Sequence, residues 1–291
     1  MRKVKSVMLA GALLATVFAC DSTPEFTELE SGLKYRKLNE GSDKRAEEGE
    51  IMNVVMTHTL EDSVLYDSGN EPGYFLNPAS SLPPNLSEVF KLCGPGDSVQ
   101  IKMPFAEYAQ LTGFPVTAED SSKVVMWNFK VNEIATEQAF VEMFQAEQKE
   151  IDKGIIEEYL VNNNLEANYT EEGIAVVTLE SGNGEYPENG DLVKVDYAVR
   201  LLDGTLVDTS NEQLAQENNV YNAQREYKPY EFTLGNREVI QGWDLGVPKV
   251  DKGGKAKLLI PSQYAYGARN TGGPIPPNAV LVFDIEVVDF E

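Results

Sequence analysis

The chain reads as an α+β protein of two similar domains, each an antiparallel half-barrel sheet wrapped around a short helix, with a long amphipathic helix between them. Three observations predict this. A faint internal repeat divides the 291 residues into two copies. Apolar residues alternate with period two in both copies, as half-buried strands require. One proline-free stretch between the copies carries apolar residues at helical spacing. At this length each copy can bury a core of its own.

The elements follow from the N-terminus. Arg2, Lys3 and Lys5 precede an apolar run from Val7 to Ala19, and Cys20 opens a polar, acidic segment. That is the layout of a secretory signal, and the run is shorter than the about 20 apolar residues a permanent membrane helix needs. Val17-Phe18-Ala19-Cys20 resembles a bacterial lipobox, which implies cleavage before Cys20 and a lipid on that cysteine. The alternative is an ordinary cleaved signal with Cys20 left as a thiol. The expected division is a signal over 1–19, a tether over 20–31, a first domain over 32–135, a connecting helix over 136–166 and a second domain over 167–291.

Only Cys20 and Cys93 occur in the chain. A lipidated Cys20 leaves Cys93 without a partner, and its apolar context VFKLCGPG suits small core filler. With 24 basic and 47 acidic side chains the net charge is −23, and cleavage after residue 19 removes three positive charges and brings it to −26. Such a surface repels nucleic acid and anionic headgroups, so any membrane attachment falls to the lipid. His58 is the single histidine and no Cys/His cluster exists, so a zinc site has no ligands and no metal or cofactor is implied.

In the repeat, VVMTHTLEDSVLYDS (54–68) parallels VDYAVRLLDGTLVDTS (195–210), each an alternating strand, an acidic turn and a second strand ending in Asp-(Ser/Thr). GDSVQIKMP (96–104) parallels GGKAKLLIP (253–261), and VVMWNFKVNEI parallels VLVFDIEVVDF. Val193, Val195, Tyr197, Val199 and Leu201 share one face of their strand, and Leu281, Phe283, Ile285 and Val287 share one face of the last. One wet face and one dry face per sheet are expected, with the short helix of the second copy near Val239 to Gly246. Between the copies, Phe140, Phe144, Ile151, Ile155 and Tyr159 form the apolar stripe of a helix that starts near Thr136 and stops at Asn162-Asn163-Asn164. The stripe packs on a flanking domain or forms the seam of a homodimer; the sequence leaves both open.

The second copy also holds YEFTLGNREVIQGWDLGV (230–247) and SQYAYGARNTGGPIPPNAVLVFDIEV (262–287), whose aromatic and aliphatic residues build a small apolar cup. The joint occurrence of GW, AYG and IPP resembles the catalytic domain of the FKBP-type peptidyl-prolyl isomerases, in a bacterial lipoprotein form with a degenerate N-terminal repeat. The resemblance implies Trp243 as floor and Tyr197, Tyr230, Val239, Ile240 and Phe283 as walls. It further implies Tyr266 as phenol, Asp208 as carboxylate, Ile275 as apolar tip, and the Ile240 N–H as donor to the substrate carbonyl. The implied substrates are proline-containing unfolded or partly folded polypeptides in the cell envelope. Two departures stand out: Val207 occupies a wall position that is usually aromatic, and 211–227 is longer than the usual loop, with Arg225 as a candidate partner for Asp208. The first copy has Leu86 at the floor, Met56 in place of Tyr197, Trp127 in place of Phe283, Tyr66-Asp67, and nothing like IPP. It reads as a non-catalytic copy kept for binding unfolded chain, for spacing or for dimerisation.

Overall fold

The computed structural model describes residues 23–69, 74–115 and 122–291, so the expected signal and Cys20 lie outside the described residues. Two compact units divide between Ala139 and Phe140. The first contains β1 (Thr27–Glu28), β2 (Lys34–Asn39), β3 (Glu50–Leu60), β4 (Ser63–Asp67), β5 (Tyr74–Leu76), α1 (Pro84–Lys91), β6 (Ser98–Pro104), α2 (Phe105–Thr112) and β7 (Val124–Thr136). A long helix, α3 (Glu137–Asn162), follows. The second unit continues with β8 (Asn168–Tyr169), β9 (Ala175–Glu180), β10 (Leu192–Arg200), β11 (Leu206–Thr209), α4 (Glu212–Glu217), β12 (Tyr230–Thr233), α5 (Gln241–Gly246), β13 (Lys255–Ile260) and β14 (Leu281–Phe290).

The first sheet runs β1-β2-β6-β7-β3-β4 with β5 on β3, and the second runs β8-β9-β13-β14-β10-β11 with β12 on β10. Strand for strand the two orders are the same, and the pairings are antiparallel. The internal repeat is therefore one topology used twice.

Register corrects one detail of that repeat. Ser68 N–H donates to the Met56 carbonyl at 3.0 Å, and Ser210 N–H donates to the Tyr197 carbonyl at 2.9 Å, so Ser68 is the counterpart of Ser210. Tyr66 faces His58 across the strand pair where Asp208 faces Val199. The first unit thus has Tyr66, not Asp67, at the carboxylate position. One residue fewer in the first hairpin shifts the match, and a one-residue slip moves side chains to the opposite face.

In the second unit the inward faces of β10, β13 and β14 pack around α5. Gly242 and Gly246 let that helix settle against the sheet. A Cβ on Gly242 would lie 2.3 Å from the Ile260 Cγ2, and one on Gly246 2.9 Å from the Leu258 Cδ1. Trp243, between them, is held down into the core.

The outer face of this sheet is not wet where β9, β13 and β14 run side by side. Ala175, Val177, Leu259 and Val282 are buried there against Ile156 and Leu160 of α3. Burying two such aliphatic side chains contributes roughly 1.5–3 kcal/mol each. The buried line of α3 comprises Phe140, Asp152, Ile156 and Leu160, while Ile151 is exposed. The expected stripe is displaced by one residue in its C-terminal half, because the true line includes a carboxylate that hydropathy counts as surface. The helix is closed just past its end by Asn164, whose φ of 52° is left-handed, and Leu165 N–H bonds to the Leu160 carbonyl at 2.9 Å.

Candidate active site

The concave side of the second sheet holds a cavity of about 420 Å³, and all nine residues selected from the sequence line it: Tyr197, Asp208, Tyr230, Val239, Ile240, Trp243, Tyr266, Ile275 and Phe283. Trp243 is 4% exposed and forms the base. Tyr197 and Phe283 meet it edge-on at 5.3 and 5.5 Å between ring centroids, and Tyr230 does so at 6.2 Å. Such edge-to-face geometry sets the positive rim of one ring against the negative face of another. Tyr197 and Phe283 come from neighbouring strands, and pairing of Val199 with Phe283 fixes how they sit.

Ile240 lines the cup and is the N-cap of α5, so its N–H lies outside the hydrogen-bond ladder of the helix. Ile275 lies at the far rim, where the Thr271 hydroxyl donates to its carbonyl at 3.1 Å. Tyr230 and Tyr266 are exposed at the mouth.

One wall is polar. The Tyr197 hydroxyl donates to the Asp208 Oδ2 at 2.6 Å and accepts from the Arg225 Nη2 at 2.7 Å. Arg225 Nη1 pairs with Asp208 Oδ1, which also accepts the Thr209 N–H at 2.8 Å. Burial pushes the Tyr197 phenol well above the usual tyrosine range, and the adjacent Asp208 carboxylate adds to this against the opposing Arg225 guanidinium.

Arg225 comes from the long segment after β11, which is structured. Asn211 caps α4 by accepting the Leu214 N–H at 2.9 Å. Tyr221 and Tyr227 stack at 5.5 Å, and the Tyr227 hydroxyl accepts the Asn222 N–H at 2.8 Å. The segment therefore delivers a cation to the cup rim from a built loop.

The cavity also touches Val199, Val207, Glu238, Ala265, Arg269 and Leu281, of which only Val207 was singled out from the sequence as part of the cup. Val199 and Leu281 were legible from alternation, lying two residues from Tyr197 and Phe283 on the same strand faces. Glu238 and Arg269 carried no periodic signal, because they are charges on connecting segments.

In the first unit the corresponding concavity is filled by the protein's own rings. His58 stacks on Trp127 at 4.1 Å and 7°. Tyr108 meets His58 edge-on at 5.5 Å, and Tyr66 lies 5.0 Å from it. Aligned by their N-caps, α1 and α5 place Leu86 where Trp243 stands and Pro83 where Ile240 stands. Proline has no N–H, so this unit has neither an N–H at the position of Ile240 nor an indole at the position of Trp243. Cys93 is fully buried in the same core and its thiol is pushed up to about 12 by desolvation, which suits packing rather than reactivity.

An apolar cup with a few polar groups at its edge suits a reaction that needs no nucleophile. Rotation about an X-Pro bond loses amide resonance, with a barrier of about 18–20 kcal/mol. The twisted amide has less charge separation than the planar one, so an environment that excludes water favours it, and a donor to the rotated carbonyl lowers the barrier further. Fold and cup together define a protein that holds a prolyl ring while its peptide bond turns. Residues 183–288 match the family of FKBP-type peptidyl-prolyl cis-trans isomerases. The peptidyl-prolyl cis-trans isomerase Fkbp12 of Drosophila melanogaster is 42% identical over 120 residues, covering 41% of this chain and 99% of the relative. FK506-binding protein 1 of Dictyostelium discoideum is 38% identical over 119 residues, again 41% and 99%. Among solved structures, FkpA from Escherichia coli aligns at 32% identity with a TM-score of 0.39, over 53% of this chain and 64% of that one. The chain belongs to the FKBP-type family and is a peptidyl-prolyl cis-trans isomerase with two FKBP-like units.

Proposed function

We propose that this isomerase acts on exported polypeptides in a bacterial cell envelope, anchored by a lipid on Cys20, and that catalysis belongs to the second unit alone. The observation that carries the assignment of residues is the convergence of nine selected side chains on one cavity. Trp243 seats the prolyl ring, while Tyr197, Tyr230, Val239 and Phe283 exclude water around it. The Ile240 N–H and the Tyr266 phenol meet the turning carbonyl, Asp208 orients the Tyr197 hydroxyl, and Ile275 covers the residue before proline. The basic-apolar-cysteine order of residues 2–20 supports the envelope and the anchor. X-Pro isomerisation is slow enough to limit folding, which gives such an enzyme its clients.

A second reading, a non-catalytic holder of unfolded chains, draws on the retention of a whole unit without floor or donor. Proline-limited refolding of a client with the full chain separates the two. Acceleration that disappears in Trp243→Leu supports the first. No acceleration by the parent, with aggregation still suppressed by both proteins, supports the second. Homodimerisation through α3 draws on the exposed Val141, Met143 and Ile151, and sedimentation of the full chain decides it.

A further inference from the structure

We infer that Asp152, on the connecting helix α3, is a positioning residue for the isomerase cup and acts through Ser262. Both residues are fully buried. The Asp152 Oδ2 accepts the Ser262 N–H and the Ser262 hydroxyl, each at 2.7 Å. Its Oδ1 accepts the Gln148 Nε2 at 2.7 Å. A buried carboxylate is tolerated only when donors meet its lone pairs, and three donors do so here.

Ser262 opens the segment that carries Tyr266. Its carbonyl accepts the N–H groups of Ala265 and Gly267 at 3.0 and 2.8 Å, and the Gly267 carbonyl accepts the Asn278 N–H at 2.7 Å. Asn278 directly follows Ile275-Pro276-Pro277. A continuous run of hydrogen bonds therefore leads from Asp152 to both rim segments, those of Tyr266 and Ile275. Trp243, Tyr197 and Phe283 stand on α5, β10 and β14 and do not depend on it. The stretch that matches the family begins at residue 183, beyond α3. The helix thus supplies from outside that stretch a fixed point for the rim. The inference rests on the roles proposed above for Tyr266 and Ile275.

Groups that meet the turning carbonyl act in the transition state, whereas the floor holds a ring that stays put. Loosening the Tyr266 segment therefore lowers kcat, and loosening Ile275, which covers the residue before proline, adds only a small rise in KM. In peptide isomerisation with the full chain, Asp152→Ala is expected to lower kcat about tenfold with KM within about twofold, since small misplacements cost one to two orders of magnitude. Asp152→Asn restores most of kcat, because its carbonyl still accepts from Ser262 while Gln148 turns its amide. Ser262→Ala, which keeps the backbone bond, gives a smaller loss that is not additive with Asp152→Ala. Urea unfolding identifies which variants are folded, and Ser262→Ala decides the matter if Asp152→Ala does not fold. Folded variants with the parent's kcat overturn the inference. Trp243→Leu is measured alongside: full activity there overturns the cup assignment itself, whereas its collapse beside undiminished Asp152 and Ser262 variants overturns this inference alone.

Discussion

The sole histidine of the chain gives the first unit a pH dependence that can be worked through in numbers. His58 is 6% exposed among Trp127, Tyr66 and Tyr108, with its Nδ1 3.3 Å from the Tyr108 hydroxyl. Desolvation brings its pKa from 6.5 down to about 4. The folded unit therefore holds a neutral imidazole at pH values where the unfolded chain has already bound a proton. Stability contributed by the neutral ring is fully present above pH 6.5 and is lost as pH falls toward 4. The whole shift corresponds to about 3 kcal/mol, and the part falling between pH 7 and 5.5, above the carboxylate range, to about 1 kcal/mol. Urea unfolding of a Trp243→Phe chain reports on the first unit through Trp127 at both pH values. His58→Phe keeps a stacked ring and removes the titration. The first-unit transition should weaken by about 1 kcal/mol on acidification when His58 is present and stay level when it is Phe. An equal response with and without His58 would refute the reasoning.

Three further outcomes are expected. Tyr197→Phe removes the hydroxyl between Asp208 and Arg225; because those side chains are 41% and 29% exposed, the cost in urea unfolding is only about 1 kcal/mol. The parent should also lose stability above pH 10, where the unfolded phenol ionises and the folded one keeps its proton, and in Tyr197→Phe that component is missing. Cys20→Ala should move the protein from the detergent phase to the soluble fraction, and unchanged partitioning contradicts the lipid anchor.

What could be read in the sequence was what leaves a periodic trace. The alternation of Val193 to Leu201 and of Leu281 to Val287 fixed both strands and the face that bears Tyr197 and Phe283. The GW pair was legible because a glycine beside Trp243 is sterically required against Ile260. Other features escaped for physical reasons. Asp152 is polar, so hydropathy placed it on the surface, although its donors make it a core residue. The covering of the outer sheet face depends on which side α3 settles, and Val177, Leu259 and Val282 announce this only as apolar residues on the nominally wet face. The filling of the first cup by His58 and Tyr108 required register, since Tyr108 lies 50 residues from its partner. Arg225 was legible as a cation near Asp208, whereas the stacked Tyr221 and Tyr227 that shape its loop were not.

The most direct test is the isomerisation rate of a short apolar-X-Pro peptide with the parent chain, Trp243→Leu and Leu86→Ala, which alter the floor position of each unit in turn. Trp243 touches the rings of Tyr197, Phe232 and Phe283 at 5.3–5.5 Å, so losing the indole is expected to lower kcat/KM on the order of 10²-fold. Leu86→Ala should leave the rate at the parent's value. A parent rate that survives Trp243→Leu, or that falls with Leu86→Ala instead, would contradict the assignment of catalysis to the second cup.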